Sequence, residues 1–163
     1  MASKHDFHKV VIGRSELLTF VGSEAINVPA KTDTGAYRSA VHADSIVVDG
    51  NDVLSFNLLG GHPVCGAMAH RVVAESYKKV WIANSFGERE ERFEVKLKVK
   101  LGPKIFHAQF TLADRSKKIY PILLGRKLLN HRFLVDSAES SVNRVTLKKE
   151  HGIEFPSDEE ARD

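Results

Sequence analysis

Only one cysteine, Cys65, stands among the 163 residues, so no internal disulfide can form and the fold must rest on its core. A chain of this length buries roughly 68 to 70% of its unfolded surface and needs neither a bridge nor a structural metal to do so. One domain in a reducing compartment is the expectation. Long hydrophobic runs are missing too. Ile122-Leu123-Leu124 and Phe133-Leu134-Val135 are among the longest, far short of the roughly 20 residues that span a bilayer. The first nine residues carry charge and lead into no apolar stretch of the secretory kind, which predicts a cytoplasmic protein without membrane contact. There is no repeat, no low-complexity tract, no His-Glu-x-x-His pair and no Gly-rich phosphate loop ending in Lys-Ser or Lys-Thr.

Charge of one sign is scarce as well: the formal net charge is +3. It is unevenly spread, because Leu147 to Asp163 hold six acids against three bases and leave about +6 on the rest. No Lys/Arg cluster is interleaved with aromatics, so no nucleic-acid partner is predicted. The mild basicity suits an acidic one.

What is present is alternation. Phe93, Val95, Leu97, Val99 and Leu101 alternate with Glu94, Lys96, Lys98 and Lys100, which turns one face to a core and the other to water. Gly102-Pro103-Lys104 turns the chain, and Phe106, Ala108, Phe110 and Leu112 return as an antiparallel partner. Further β-rich runs are Val10–Ile12, Ile26–Ala30, Ser39–Val48, Val53–Leu58, Arg71–Tyr77 and Val80–Asn84, punctuated by Gly, Asn, Asp and Pro. The pattern predicts a mainly β domain over 10–147, a small barrel or sandwich, after a flexible start at 1–9. One short helix of about two turns is expected from Gly125, with Leu128 and Leu129 facing the core. The charged segment 148–163, broken by Gly and Pro, reads as a loose or disordered tail.

The candidate chemistry lies just past a strand, in Val28-Pro29-Ala30-Lys31-Thr32-Asp33-Thr34-Gly35-Ala36. An aspartate followed by a hydroxyl residue and two small residues suits a carboxylate displayed on a tight loop, although a plain turn satisfies the same string. A second segment, Pro121-Ile122-Leu123-Leu124-Gly125-Arg126-Lys127-Leu128-Leu129, supplies an apolar strand, a Gly-Arg pair and a Leu-rich helix. Together they resemble the retropepsin-like aspartic proteases. Ser39-Ala40-Val41-His42-Ala43, Thr111-Leu112-Ala113-Asp114-Arg115-Ser116 and Phe133-Leu134-Val135-Asp136 narrow the resemblance to a bacterial group often labelled ATP-dependent zinc proteases.

That resemblance implies a closed small β-barrel of the retropepsin (acid protease) type. It implies a catalytic loop of Asp33, Thr34 and Gly35, with Ala36 beside the substrate and Gly125 and Arg126 as its support. One chain offers one such loop, whereas aspartic chemistry needs two adjacent carboxylates, so a homodimer is implied, with Thr34 bonding across the interface. Asp136, after apolar and before small residues, is the competing source of a second carboxylate within the chain. The hairpin around Trp81 to Arg89 is the candidate flap, with Ser85, Phe86 and Gly87 at its tip touching a peptide or protein substrate. Viral retropepsins pair the arginine of the Gly-Arg motif with an acid directly after the catalytic loop; Tyr37-Arg38 stand there instead, and Asp114 is the expected partner of Arg126. An extra segment from about Ile46 to Lys78 has no counterpart.

Zinc finds little support. His62-x-x-Cys65-x-x-x-x-His70 lacks a further ligand and His5-x-x-His8 sits near the chain start, so no metal and no cofactor are predicted. Members of the resembled group sit beside ATP-grasp ligases that add glutamates to protein tails, which makes such a ligase a pathway partner and acidic tails a substrate. Two other functions fit the same resemblance: a non-catalytic dimerisation or peptide-binding module, and a metal-dependent hydrolase.

Overall fold

Period-two alternation dominates because β-branched and aromatic residues recur at every second position, and the structure, a computed structural model, describes residues 9–74, 76–84 and 86–153 accordingly. The strands are β1 (Val10–Gly13), β2 (Ser15–Phe20), β3 (Val28–Thr32), β4 (Ser39–Val48), β5 (Leu54–Leu58), β6 (His70–Ala74), β7 (Tyr77–Ala83), β8 (Arg89–Leu101), β9 (Lys104–Ala113), β10 (Ile122–Leu124) and β11 (Phe133–Asp136). Helices α1 (Arg126–Leu129) and α2 (Arg144–His151) follow β10 and β11. β10 runs parallel to β3 on one side and antiparallel to β4 on the other. That double pairing closes the ring β10-β3-β2-β8-β9-β4 into a six-stranded barrel, the mainly β fold that the resemblance implied.

Leu18, Val28, Val41, Val99, Phe110 and Ile122 fill the barrel, each fully buried, and Phe20 meets Phe110 edge-on. The β8–β9 hairpin is as expected: Leu101 pairs with Lys104 across a two-residue turn in which Gly102 takes φ 56°, a value open to glycine. Lys96, Lys98 and Lys100 face out, but Glu94 is buried against the expected alternation. β2 was not legible, because the Leu17-Leu18 doublet breaks the two-residue period. The run expected over Arg71–Tyr77 divides into β6 and β7. β1 and β11 form a separate parallel pair.

The extra segment extends the sheet: β5 pairs with β4 and β6 with β5, burying Leu54, Phe56 and Leu58. The first helix makes one turn rather than two, ending before His131 at φ 69°. Beyond Leu147 the loose tail gives way, as far as His151, to helix α2. The Asn143 carboxamide accepts from Thr146 N–H at its start, Gly152 in the left-handed region ends it, and Lys148, Lys149 and His151 suit the negative end of its dipole. Residues 154–163 lie outside the described residues.

Candidate active site

Asp33 follows β3 directly, and its position is set by backbone pairing before any side chain acts. Its N–H donates to the Leu124 carbonyl at 2.9 Å, extending the β3–β10 ladder by one rung. The Gly35 N–H donates to Asp33 Oδ1 at 3.0 Å and the Ala36 N–H to the Asp33 carbonyl at 3.2 Å, so the loop curls around its own carboxylate. Asp33 is half-buried; Thr34 and Gly35 are exposed.

Helix α1 fastens the outgoing arm. Its first two amides have no partner within the helix, and those of Arg126 and Lys127 donate at 2.8 Å to the carbonyls of Ala36 and Tyr37. Contact this close requires Gly125: a Cβ there would stand 2.5 Å from the Arg38 carbonyl oxygen. Ser39 Oγ accepts the Gly125 N–H, and Thr111 Oγ1 donates to the Ser39 carbonyl. The guanidinium of Arg126 donates to the Thr34 carbonyl at 2.9 Å and lies 5.9 Å from the Tyr37 ring centroid.

Arg126 therefore does not use Asp114, as the sequence suggested. Asp114 Oδ1 accepts both the hydroxyl and the amide of Ser116, which hold its carboxyl below the usual range. A buried acid does brace the loop, but through the neighbours of Arg126 rather than Arg126 itself. Glu94, with 2% of its side chain exposed, accepts Arg38 Nη1 at 2.5 Å and Lys127 Nζ at 3.3 Å, joining the loop, α1 and β8 through one carboxylate. No local signal marks Glu94, which occupies the solvent parity of its strand.

β7 and β8 form the hairpin expected as a flap, in register from Tyr77↔Val95 to Ala83↔Arg89. At its tip the Asn84 carboxamide oxygen accepts the amides of Phe86 and Glu88, Gly87 takes φ 77°, and Phe86 is 88% exposed. Trp81 projects from β7, also exposed. Ser85 lies outside the described residues. Asp136 ends β11 in the other sheet, and its Oδ1 accepts the Ala138 N–H of its own turn.

Beside Asp33 opens a cleft of about 450 Å³ lined by the apolar and aromatic Ile119, Tyr120 and Leu123 and by the cationic Lys31, Arg115, Lys118 and Arg144. Lys31 was within reach of the sequence, since residues i and i+2 on a strand share a face. The other three cations come from loops and α2 that only the tertiary fold assembles.

The residues weighed as a metal site have other tasks. His62 Nδ1 accepts the Val64 N–H, and its Nε2 proton is shared by the carbonyls of Arg115 and Lys118 at 3.0 and 2.9 Å. Burial and the neighbouring His42 lower its pKa from 6.5 to about 4. Cys65 is buried, and burial pushes its thiol up from 9.0 to about 12. Among the described residues no three His, Cys, Asp or Glu side chains come together as a metal site.

A closed six-stranded barrel that presents Asp-Thr-Gly beside a Gly-Arg helix defines a retropepsin-like domain. Residues 11–146 match the RimB-like family, described as retropepsin-like aspartic endopeptidase RimB, and the chain belongs to that family. Two relatives carry the name "Probable alpha-L-glutamate ligase". The one from Desulfotalea psychrophila is 31% identical over 140 residues, 82% of this chain and 29% of that protein. The one from Shewanella halifaxensis is 29% identical over 157 residues, 90% of this chain and 33% of that protein. This chain thus spans roughly 30% of the length of these relatives. A crystal structure of a Legionella pneumophila protein of unknown function is similar with a TM-score of 0.64 and 26% identity, over 80% of this chain and 95% of that one.

Proposed function

We propose that the protein is an aspartic peptidase that works as a homodimer through Asp33 and its twofold counterpart. The observation that carries this reading is the Asp33-Thr34-Gly35 loop itself: it is held through backbone bonds to Leu124 and α1, yet it offers a half-buried carboxylate and an exposed Thr34 at the protein surface. Brought together by a twofold axis, two such carboxylates share one proton because like charges that close cannot both ionise. The ionised member takes a proton from water as the water oxygen attacks the scissile carbonyl carbon, and the neutral member gives its proton to the carbonyl oxygen. Collapse of the tetrahedral intermediate returns a proton to the leaving nitrogen and breaks the C–N bond. Phe86 at the exposed hairpin tip gains apolar burial when it closes over substrate.

The substrate we propose is a glutamate-rich protein tail. The four cationic side chains around the Asp33 cleft complement carboxylates, and relatives that contain a matching region are named for joining glutamate. A glutamate ligase is then the partner in the pathway, supplying what this protein trims. The test is cleavage of peptides with and without glutamate extensions, across pH, by wild type and Asp33→Asn, with light scattering on the same samples. Cleavage by a wild-type dimer that disappears in Asp33→Asn supports the reading; equal activity of both proteins rejects it.

A further inference from the structure

The segment between β4 and β7 has no assigned role, and its buried histidine touches the active cleft from behind. His62, 2% exposed, lies where β5 leads into the turn before β6, and its Nε2 proton bridges the carbonyls of Arg115 and Lys118 at 3.0 and 2.9 Å. Both of those residues line the Asp33 cleft. A second ring completes the grip: the Arg115 N–H donates to His42 Nδ1 at 2.9 Å, which fixes the His42 proton on Nε2, and that proton goes to the Gly60 carbonyl at 2.6 Å. The two imidazoles stand edge to face, 5.1 Å between centroids. Within the gripped loop the Lys118 N–H donates to the Arg115 carbonyl, and Arg115 Nε to the Tyr120 carbonyl.

From this geometry we infer that His62 is a positioning residue for the cationic wall: the β5–β6 segment exists to hold Arg115 and Lys118 at the distance from Asp33 at which they select carboxylates on the substrate. Four backbone acceptor and donor groups, one bond buried and three partly so, depend on two neutral rings, and a loop of this kind has no strand pairing of its own to fall back on. The groups that face His62 are His42 from β4 and Arg115 and Lys118 from the gripped loop; Asp114 stands 3.8 Å from His42 Nδ1. Removing the ring's donor without removing its bulk takes one donor from each carbonyl, leaving that of Arg115 to the Lys118 N–H, and frees the wall to shift. The inference rests on the proposed glutamate-rich substrate only for its consequence in binding, not for the grip.

The experiment uses the full chain carrying Asp33→Asn, so that peptide binds without turnover, and compares His62 with His62→Phe and His62→Gln. Two readouts are taken. Backbone amide hydrogen exchange over 114–120 is expected to speed up at least tenfold in His62→Phe, with 33–38 unchanged, and to recover in His62→Gln, whose side-chain amide offers two donors to the same carbonyls. Affinity for a glutamate-extended peptide is expected to fall about tenfold in His62→Phe, while affinity for the same peptide without the extension stays within twofold. Unaltered exchange over 114–120 in His62→Phe would overturn the grip whatever the binding shows. Faster exchange with equal loss for both peptides would overturn its role in selection, and no preference by the His62 protein itself would overturn the glutamate-rich substrate instead. Should His62→Phe fail to fold, His62→Asn, whose shorter side chain sets its amide back from both carbonyls, takes its place with the same expected exchange and the same overturning result.

Discussion

The proposed activity turns on Asp33. Its backbone bonds survive replacement by asparagine, so Asp33→Asn is expected to retain the fold while peptide cleavage falls by roughly 100- to 10,000-fold, read from turnover and thermal unfolding on one preparation. His62 governs stability rather than chemistry. Its folded pKa of about 4 lies below the ordinary 6.5, so the folded state prefers the neutral ring. The stabilisation is complete above pH 6.5 and drains away as pH falls from there to 4, to a total of roughly 3 kcal/mol. Urea midpoints should drop over that window in wild type and much less in His62→Gln. At Cys65, buried and held protonated, labelling by a thiol reagent at pH 8 should wait for denaturant.

At the scale of elements, the active loop is a joint between α1, β3 and β8. Gly125→Ala drives a methyl group into the Arg38 carbonyl and should cost about 1–3 kcal/mol of stability, with cleavage reduced further because Ala36 and Tyr37 lose their amide donors. Glu94 behaves asymmetrically. Arg38→Met leaves its buried carboxylate with Lys127 alone, whereas Glu94→Gln leaves two cations that are each about a third exposed and can turn to water. Denaturant unfolding should therefore show the larger loss for Arg38→Met. These joints also mark the limit of what could be read in advance. The β8–β9 hairpin, the Asp33 loop and the Gly125-Arg126 support were legible because alternation, Asp-Thr-Gly and Gly-Arg are local patterns. Glu94, the Arg126–Thr34 bond and the histidine pair were not, since each joins residues far apart in the chain. Asp114 lies near Arg126 in sequence, but its carboxylate is taken by the closer Ser116. In α2, cap residues at both ends outweighed the charge and Gly/Pro content that suggested a loose tail.

For the whole molecule, the proposed twofold pairing makes activity depend on concentration as a dimer must. When wild type is mixed with an equal amount of Asp33→Asn and allowed to exchange subunits, roughly one quarter of all dimers carry two intact carboxylates and these hold about half of the wild-type chains, so cleavage per wild-type chain should fall by about half. Light scattering and titration of activity against dilution check the same point.

The closing strand β10 has a consequence for the order of events during synthesis. Thr34 and the Arg126 that steadies it are 92 residues apart, and the carbonyl that receives the Asp33 amide belongs to Leu124. Contacts of such long sequence separation form late, after the entropy of closing the intervening loop has been met. While the chain is still emerging from the ribosome, Asp33 is an ordinary solvated aspartate on an unanchored turn. The finished barrel alone supplies its setting, so the proposed peptidase activity waits until the last barrel strand is in place.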